Sequence, residues 1–465
     1  ILSKNNYHKI IELNSFGGKF NTLNNERNNN FNNINIKNKN KEQNKSYDNG
    51  NKKKGSHSKI KLTNTSKLKE RHSDSGYKKK KSHKLNIIKT KSAEKTSDTY
   101  EKINRSCGQA KKHSTKFDHH QKSIYKVGVI CEGGEVVFGE KKTNQDNYFD
   151  YLINNDMRFI GVCDGHGENG HFVSQYLREY LPKQVEKKFK KSMKKEKIDI
   201  NLLQKEMSGD CSSDYNPKKI EENYNIFQKI KKIFEKSFSK TDKNLSAFCE
   251  FLNKNNIGNS QDEGEECIFD VEYSGSTCVS ILLKEKNINK IYIANVGDSR
   301  AIIIKELQNQ NRDWVPYQLS KDHKPTEEDE AQRILEYDGE IERIEDDDGN
   351  WTGPLRVWVK GSDGPGLAMT RSFGDEIGAS VGVISMPEVT EYKVKEEDRA
   401  IIIASDGLWE YMENKDVTEC VKKLIDKNDP DLIVKELYKE SIIRWKLKDQ
   451  GIDDITIICI LLKND

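Results

Sequence analysis

Apolar residues are unevenly spread along the 465-residue chain. Ahead of about residue 124 they barely cluster; after it they fall into short runs with helical stretches between. The runs 159-FIGVC-163, 275-GSTCVSILL-283, 291-IYIANV-296, 300-RAIIIKEL-307, 399-RAIIIA-404 and 455-ITIICILL-462 are rich in β-branched residues and bounded by Gly, Asp or Asn, a pattern that predicts strands. Helical spacing places Phe172, Val173, Tyr176, Leu177, Tyr180 and Leu181 on one face. A second helix carries Ile226, Ile230, Ile233, Phe234 and Phe238, and a third spans 431–445. Over 326–339 a Thr-x-x-Asp capping pattern, Pro325 before it and Gly339 after it mark a helix with both stops. Segments near 190–222 and 253–268 follow neither period and read as insertions; 353–385 is Gly-rich and reads as loop. Neighbouring strands joined as hairpins, with helices that do not strictly alternate, predict an α+β fold of mainly antiparallel sheets covered by helices.

Composition divides the chain in two. The overall 34% hydrophobic and 33% charged content averages unlike parts. Residues 1–120 hold 29 Lys/Arg against 10 Asp/Glu, so a net charge of +4 for the whole leaves about −15 for the rest. Such a polar Asn/Lys-rich stretch cannot bury enough apolar surface to offset its conformational entropy. Residues 1–122 are therefore expected to be a disordered tail, and 123–465 a single domain with the two insertions. The Lys runs at 52–54 and 78–81 have few aromatics between them to stack on bases, so they read as compositional bias rather than a nucleic-acid or membrane-surface site. None of the nine cysteines forms a Cys-x-x-Cys pair, and several sit inside apolar runs, which points to a reduced intracellular protein, cytoplasmic or nuclear. No apolar run approaches 18 residues. A monomer is expected. The chain starts at Ile1, so an upstream targeting or lipidation signal is left open.

One regularity carries chemistry. Asp146, Asp164, Asp298, Asp406 and Asp453 each lie beside an apolar run. A single Asp there is ordinarily a turn former or helix cap. Five of them on strands that lie side by side would converge, and clustered carboxylates in a low-dielectric place repel strongly. No comparable set of Arg or Lys accompanies them. Divalent cations resolve the repulsion, and an all-oxygen set favours Mg²⁺ or Mn²⁺ over Zn²⁺. Two such ions can activate a bridging water and neutralise phosphate oxygens, which is phosphoester hydrolysis chemistry. His166 is then placed to protonate a leaving alkoxide, or is a hydrogen-bonded turn histidine. Lys141 and Lys142 are candidates to hold a phosphate, or are solvated surface lysines.

These residues sit in a set of motifs whose order matters more than any one of them: 144-NQDNYF-149, 162-VCDGHGENG-170, 274-SGSTCVSILL-283, 293-IANVGDSRAII-303, 320-SKDHKP-325, 366-GLAMTRSFGD-375, 382-GVISMPEV-389, 404-ASDGLWE-410 and 453-DDITIICILL-462. Residues 123–465 resemble the PPM family of type 2C metal-dependent protein Ser/Thr phosphatases. The resemblance implies a β-sandwich of two antiparallel sheets flanked by α-helices, acting on phosphoserine and phosphothreonine proteins with two Mn²⁺ or Mg²⁺ ions. Carried over by motif, Asp164 would bridge both metals and Gly165 would offer its carbonyl. Asp406 and Asp453 would complete one metal, and Asp146 would act through metal-bound waters. Asp298 with Asp406 matches a weaker third-metal position, which Glu410, standing where some members have Asp, puts in doubt. His166 matches the family's proposed general acid. The family's phosphate-binding basic residue is often Arg; here Lys141 and Lys142 stand for it, and Lys lacks the bidentate fork. Gln145 stands where some members have Glu. Residues 353–375 correspond to the family's flap beside the active site; Trp358, Trp409 and Trp445 read as packing residues. A pseudophosphatase that keeps the fold and binds phosphoproteins is the alternative, although every metal-ligating Asp is present. The sequence argues against a tyrosine phosphatase, because no Cys has an Arg six residues on.

Overall fold

The computed structural model describes residues 125–136, 140–154, 156–196, 217–254, 270–284, 288–346, 349–362, 364–449 and 451–462, without the side chains of 193–196 and 217–224. The tail assigned to 1–122 lies outside the described residues.

Five strands form one sheet: β1 (Lys126–Glu132), β15 (Ile455–Leu461), β14 (Asp398–Ala404), β7 (Arg300–Glu306) and β8 (Trp314–Gln318), in that spatial order. A second, seven-stranded sheet runs β12 (Phe373–Gly374), β4 (Gly275–Ser276), β3 (Met157–His166), β5 (Cys278–Lys284), β6 (Lys290–Val296) and β13 (Glu388–Lys393), with β2 (Asp146–Ile153) also paired to β3. Every pairing is antiparallel. The predicted antiparallel α+β architecture is what the chain adopts.

The isoleucine runs explain the stacking. In β7, β14 and β15, Ala301, Ile303, Ile401, Ile403, Ile458 and Ile460 point to one side and meet Ile160, Val162, Val279, Ile281, Leu283 and Ile293 of the second sheet. The alternate residues Ile302, Ile304, Ala400, Ile402, Ile457 and Cys459 point the other way, onto Val417 and Val421 of α6 (Asn414–Leu424) and Ile433, Val434 and Leu437 of α7 (Pro430–Lys448). Strands buried on both faces need no polar alternation, so they read as continuous apolar runs. Trp409 and Trp445 belong to the helix-covered side of this core. The outer face of the second sheet is covered by α1 (Gly170–Glu196) and α2 (Pro217–Lys254), with Phe159 against Phe234 at 5.6 Å between ring centroids. The face residues predicted for α2 are all buried, as are those for α1 except the half-buried Tyr180. No helix among the described residues is long and apolar enough to cross a membrane.

Of the segments read as insertions, 197–216 and 255–268 lie outside the described residues, while α1 continues to Glu196 and α2 runs from Pro217 to Lys254. Two local expectations are corrected. The helix after Pro325 is α3 (Glu328–Glu336), and its N-cap is Glu327, without a side-chain cap bond, so Thr326 does not cap it. It ends ahead of Asp338, which takes the left-handed conformation (φ 60°), while Gly339 already starts a strand. The Gly-rich stretch is not all loop. Its strands β10 (Trp351–Val359) and β11 (Pro365–Leu367) join β9 (Gly339–Glu345) in a three-stranded sheet with its own core of Ile334, Ile341, Leu355, Val357, Leu367 and Met369 under α3. Glu330 of α3 ties this module together. Buried, it accepts hydrogen bonds from Thr370 (2.6 Å), Arg333 (2.6 Å) and Arg371 (2.9 Å). Two short helices, α4 (Glu376–Ala379) and α5 (Asp406–Trp409), complete the chain.

Because Ile281 sits between the two sheets with no exposed surface, Ile281→Ala is expected to lower unfolding free energy by roughly 2–5 kcal/mol, the usual cost of a large-to-small change in a closely packed core. Urea unfolding of both proteins measures this. A cost under about 1 kcal/mol would mean that the intersheet layer is loosely filled.

Candidate metal centre and active site

The carboxylates arrive from both sheets. Asp146 and Asp164 are directly opposed in the β2–β3 register, so their side chains share a face. Asp406 follows β14 and opens α5, while Asp453 and Asp454 precede β15, the neighbour of β14. Asp298 lies in the connection between β6 and β7, where the chain passes from one sheet to the other. Ser405 locks the junction: its Oγ donates to Asp146 Oδ2 at 2.7 Å and accepts from the Thr456 N–H at 3.0 Å. The Asp406 N–H points at Asp164 Oδ2 from 3.5 Å. Thr277 Oγ1 accepts from the Asp164 N–H at 3.3 Å and is bonded to Ser299 Oγ at 2.7 Å. Gly165 has no room for a side chain; a Cβ there would stand 2.3 Å from Gly170 O and 2.6 Å from Gln145 O.

Burial and repulsion act together on these acids. Asp146 is pushed up to about 7, chiefly by burial and then by Asp454 and Asp453, against the opposing Ser405 hydrogen bond. Asp164 is held well above the ordinary carboxylate range by burial and by Asp406, Asp146, Asp453 and Asp298. Asp406 is raised for the same reasons, with Asp453 its strongest repelling neighbour. Asp146 Oδ1 and Asp298 Oδ1 are buried without a hydrogen-bond partner. Five sequence-predicted acids thus do come together, short of positive charge.

Two lysines supply part of it. Lys142 Nζ pairs with Asp453 Oδ1 and lies 3.3 Å from Asp454 Oδ2. Burial works against its charge, but Asp453 and Asp454 prevail and raise it to about 12. Lys324 Nζ is 3.6 Å from Asp298. Lys141 is exposed and bridges Glu135 through the backbone, outside the cluster. Among the described residues no three His, Cys, Asp or Glu side chains are placed to enclose an ion by themselves. A cation here must complete its shell with water and backbone carbonyl oxygen, which is how hard divalent ions are commonly held. The donor set, all oxygen with unpartnered buried carboxylate atoms, fits Mg²⁺ or Mn²⁺.

His166 ends β3 two residues beyond Asp164. Its Nε2 is 2.7 Å from Asp375 Oδ2, and its Nδ1 is buried with no partner. Burial disfavours the imidazolium, but Asp375 and Asp298 outweigh this and raise His166 above its ordinary value. Asp375 itself is fully buried and adopts the left-handed backbone conformation, φ 46°, which is uncommon for a residue with a side chain. Ser372 Oγ donates to the same Oδ2 at 2.5 Å. Gly275 makes the space: a Cβ there would stand 2.1 Å from Asp375 Oδ2. Asp242 of α2 anchors the adjoining strand, accepting from the Gly374 N–H at 3.0 Å and from Ser385 Oγ at 2.8 Å.

Sequence reasoning assigned no role to Asp375, Asp242, Asp454, Ser405 or Lys324. Asp375 and Asp454 lie inside recognised motifs, and the paired aspartates at 453–454 were a visible signal. Asp242 had none, since it is one polar position in a long amphipathic helix.

The family model described as protein phosphatase 2C matches residues 137–446. Probable protein phosphatase 2C 73 of Arabidopsis thaliana is 30% identical over 70% of this chain and 77% of its own length. Probable protein phosphatase 2C 75 of Oryza sativa is 29% identical over 70% of this chain and 71% of its own. Among solved structures, a serine-threonine phosphatase 2C from Toxoplasma gondii superposes with a TM-score of 0.54 at 19% identity, covering 72% of this chain and 94% of that one, a likeness of fold.

The raised acids set a pH dependence for the metal-free protein. Between an ordinary value of 3.8 and about 7, folded Asp146 keeps a proton that the unfolded chain has released. The folded state is then favoured at low pH, and the advantage is lost as pH rises through about 7. In chelator, the melting temperature is expected to fall from pH 5 to pH 8, and to fall less in Asp146→Asn. Equal slopes in the two proteins would show that Asp146 is not perturbed.

Proposed function

We propose, on the premise that this chain belongs to the protein phosphatase 2C family and is a protein serine/threonine phosphatase, that its strand-end carboxylates form the dinuclear centre that hydrolyses phosphoserine and phosphothreonine esters. The observation that carries this reading is the convergence of Asp146 and Asp298, which are buried, with Asp164, Asp406 and Asp453, which are half-buried, in one mutually repelling cluster. Asp164, the Gly165 carbonyl, Asp406 and Asp453 would hold two Mn²⁺ or Mg²⁺ ions, with Asp146 acting through water. Asp298 with Asp406 would offer a weaker third position. When bound, such a pair supplies a water acidic enough to attack near neutral pH and neutralises phosphate oxygens.

The chain's own groups do the rest. Lys142, already among the carboxylates, is the nearer of the two lysine candidates for a phosphate oxygen; Lys141 stands outside. Attack forms a P–O bond opposite the seryl or threonyl oxygen, whose bond to phosphorus breaks. The leaving alkoxide is strongly basic and needs a proton. His166 Nδ1 is the free nitrogen that can give it, while Nε2 stays on Asp375, which fixes the ring and stabilises its cation. Inorganic phosphate and a free hydroxyl result. Asp375 is a positioning residue in this scheme.

Phosphate release from a phosphothreonine peptide should require Mn²⁺ or Mg²⁺ and cease in chelator. Asp406→Ala should lose more than roughly a hundredfold, since even partners of metal ligands cost 10–100-fold. Folded wild-type protein that shows no turnover with either ion would support the pseudophosphatase reading instead. His166→Ala should lose more on phosphoserine than on an aryl phosphate, by about a factor of ten or more, because the aryl leaving group needs no proton. Asp375→Asn should show the same pattern with a smaller loss. Equal losses on both substrates would remove His166 from the role of acid.

A further inference from the structure

The outer helices carry a concentration of positive charge that the catalytic scheme does not use. Helices α1 and α2 pack antiparallel: Phe172 and Tyr176 near the start of α1 meet Phe248 near the end of α2, at 6.0 and 5.5 Å between ring centroids. Moving twelve residues along each helix in opposite senses brings Lys188 level with Lys236. Lys187 and Lys191 flank Lys188 on α1, and Lys240 stands one turn from Lys236 on α2. Lys187, Lys191, Lys236 and Lys240 are exposed, whereas Lys188 is half-buried. None of the five has a carboxylate within ion-pair distance among the described residues: Glu186, beside Lys187, is taken by Lys190 at 2.7 Å and Tyr151 at 3.0 Å, and Glu235, beside Lys236, stands outside ion-pair distance. Lys188 is held below the usual lysine range by its burial and then by Lys191, Lys236, Lys187 and Lys240. Like charges set together across a helix pair weaken the fold slightly. Among the described residues nothing offsets this repulsion, and such local violations are expected where a protein meets a ligand.

We propose that this lysine ridge on α1 and α2 docks an acidic segment of the phosphoprotein substrate, remote from the phosphorylated residue. The proposal rests on the phosphatase reading for its choice of partner. Geometry sets the spacing. Gly170, at the start of α1, touches Gly165 of the candidate centre. At 1.5 Å per residue, Lys188 lies about 27 Å further along the helix, a span that roughly eight residues of extended substrate would cover. The preferred substrates would then carry a run of Asp, Glu or phosphorylated residues about eight to ten positions from the scissile phosphate. The ridge adds attraction without touching the reacting atoms, so it should act on KM and leave kcat alone.

The test compares phosphothreonine peptides that are identical around the phosphate. One is short, one adds an Asp/Glu run at that spacing on either side, and one adds Ser/Gln instead. The full chain and its Lys188→Glu/Lys236→Glu/Lys240→Glu variant are assayed with Mn²⁺. Residues 1–122 are present in both, so their own lysines cancel in the difference. Wild type is expected to show about a tenfold lower KM for the acidic peptide at low salt, falling away as salt screens exposed charge. The variant should lose that preference while keeping its activity on the short peptide, which also shows that it is folded. A preference below about twofold in wild type, or one that survives in the variant, overturns the proposal. If neither protein releases phosphate, the phosphatase reading fails and the ridge is still decided. Fluorescence anisotropy of the unphosphorylated acidic peptide must then show binding that the variant lacks. Single-stranded DNA or phosphatidylserine vesicles that bind wild type more tightly than the acidic peptide, and lose this in the variant, would assign the ridge to another partner and overturn the proposal.

Discussion

Five aspartates from different parts of the chain meet in one place, two of them buried and three half-buried, and their mutual repulsion is the constraint around which the site is arranged. Burial alone disfavours a carboxylate; burial beside four others disfavours it much more. The protein answers in part with Lys142 on Asp453 and Asp454 and Lys324 near Asp298. Buried carboxylate oxygens on Asp146 and Asp298 still lack partners. The remaining imbalance is what a pair of divalent ions would remove, so that the cost of assembling the acids would be recovered on their binding.

Holding such a cluster needs a rigid frame. The sandwich provides it because the strands that deliver the acids are buried on both faces. Isoleucines of β7, β14 and β15 interlock with the second sheet on one side and with α6 and α7 on the other. Neither sheet can slide without emptying a core. The Ser405 bonds to Asp146 and Thr456 join the sheets at the site itself, where Asp146 is paired across strands with Asp164. The second group of features, Asp242, Gly275, Ser372 and the left-handed Asp375, performs the same service for His166. The clustered acids and the candidate proton donor are thus set by separate supports, one at the meeting of the sheets and the other at the short β4–β12 pair.

Much of this was legible in the residues. Uninterrupted β-branched runs announced strands covered on both faces, and Asp at their ends announced the cluster, because both signals are local and repeated. The strands of the Gly-rich stretch were not legible. Gly353, Gly361 and Gly366 read as loop, yet they serve the turns and irregular register of a sheet whose partner strand, β9, looks polar in sequence, its Glu and Arg positions alternating with Ile341 and Ile344. The partner of His166 was hidden for a different reason. Asp375 lies 209 residues away from it, and nothing local marks a carboxylate that reaches across such a separation. Lys142 could be read as a phosphate ligand from its position, but only the folded chain brings it onto Asp453 and Asp454.

The most direct measurement is an anomalous-scattering map from crystals of the full chain grown with Mn²⁺. Convergence of the acids for the sake of cations predicts two peaks per chain, bounded by Asp164, the Gly165 carbonyl, Asp406 and Asp453, with Lys142 displaced from at least one of its carboxylates. Crystals saturated with Mn²⁺ that show no peak among these residues, with Lys142 still seated on Asp453 and Asp454, would contradict it. The repulsion would then be met by the protein's own lysines and protons, and the strand-end aspartates would need another explanation.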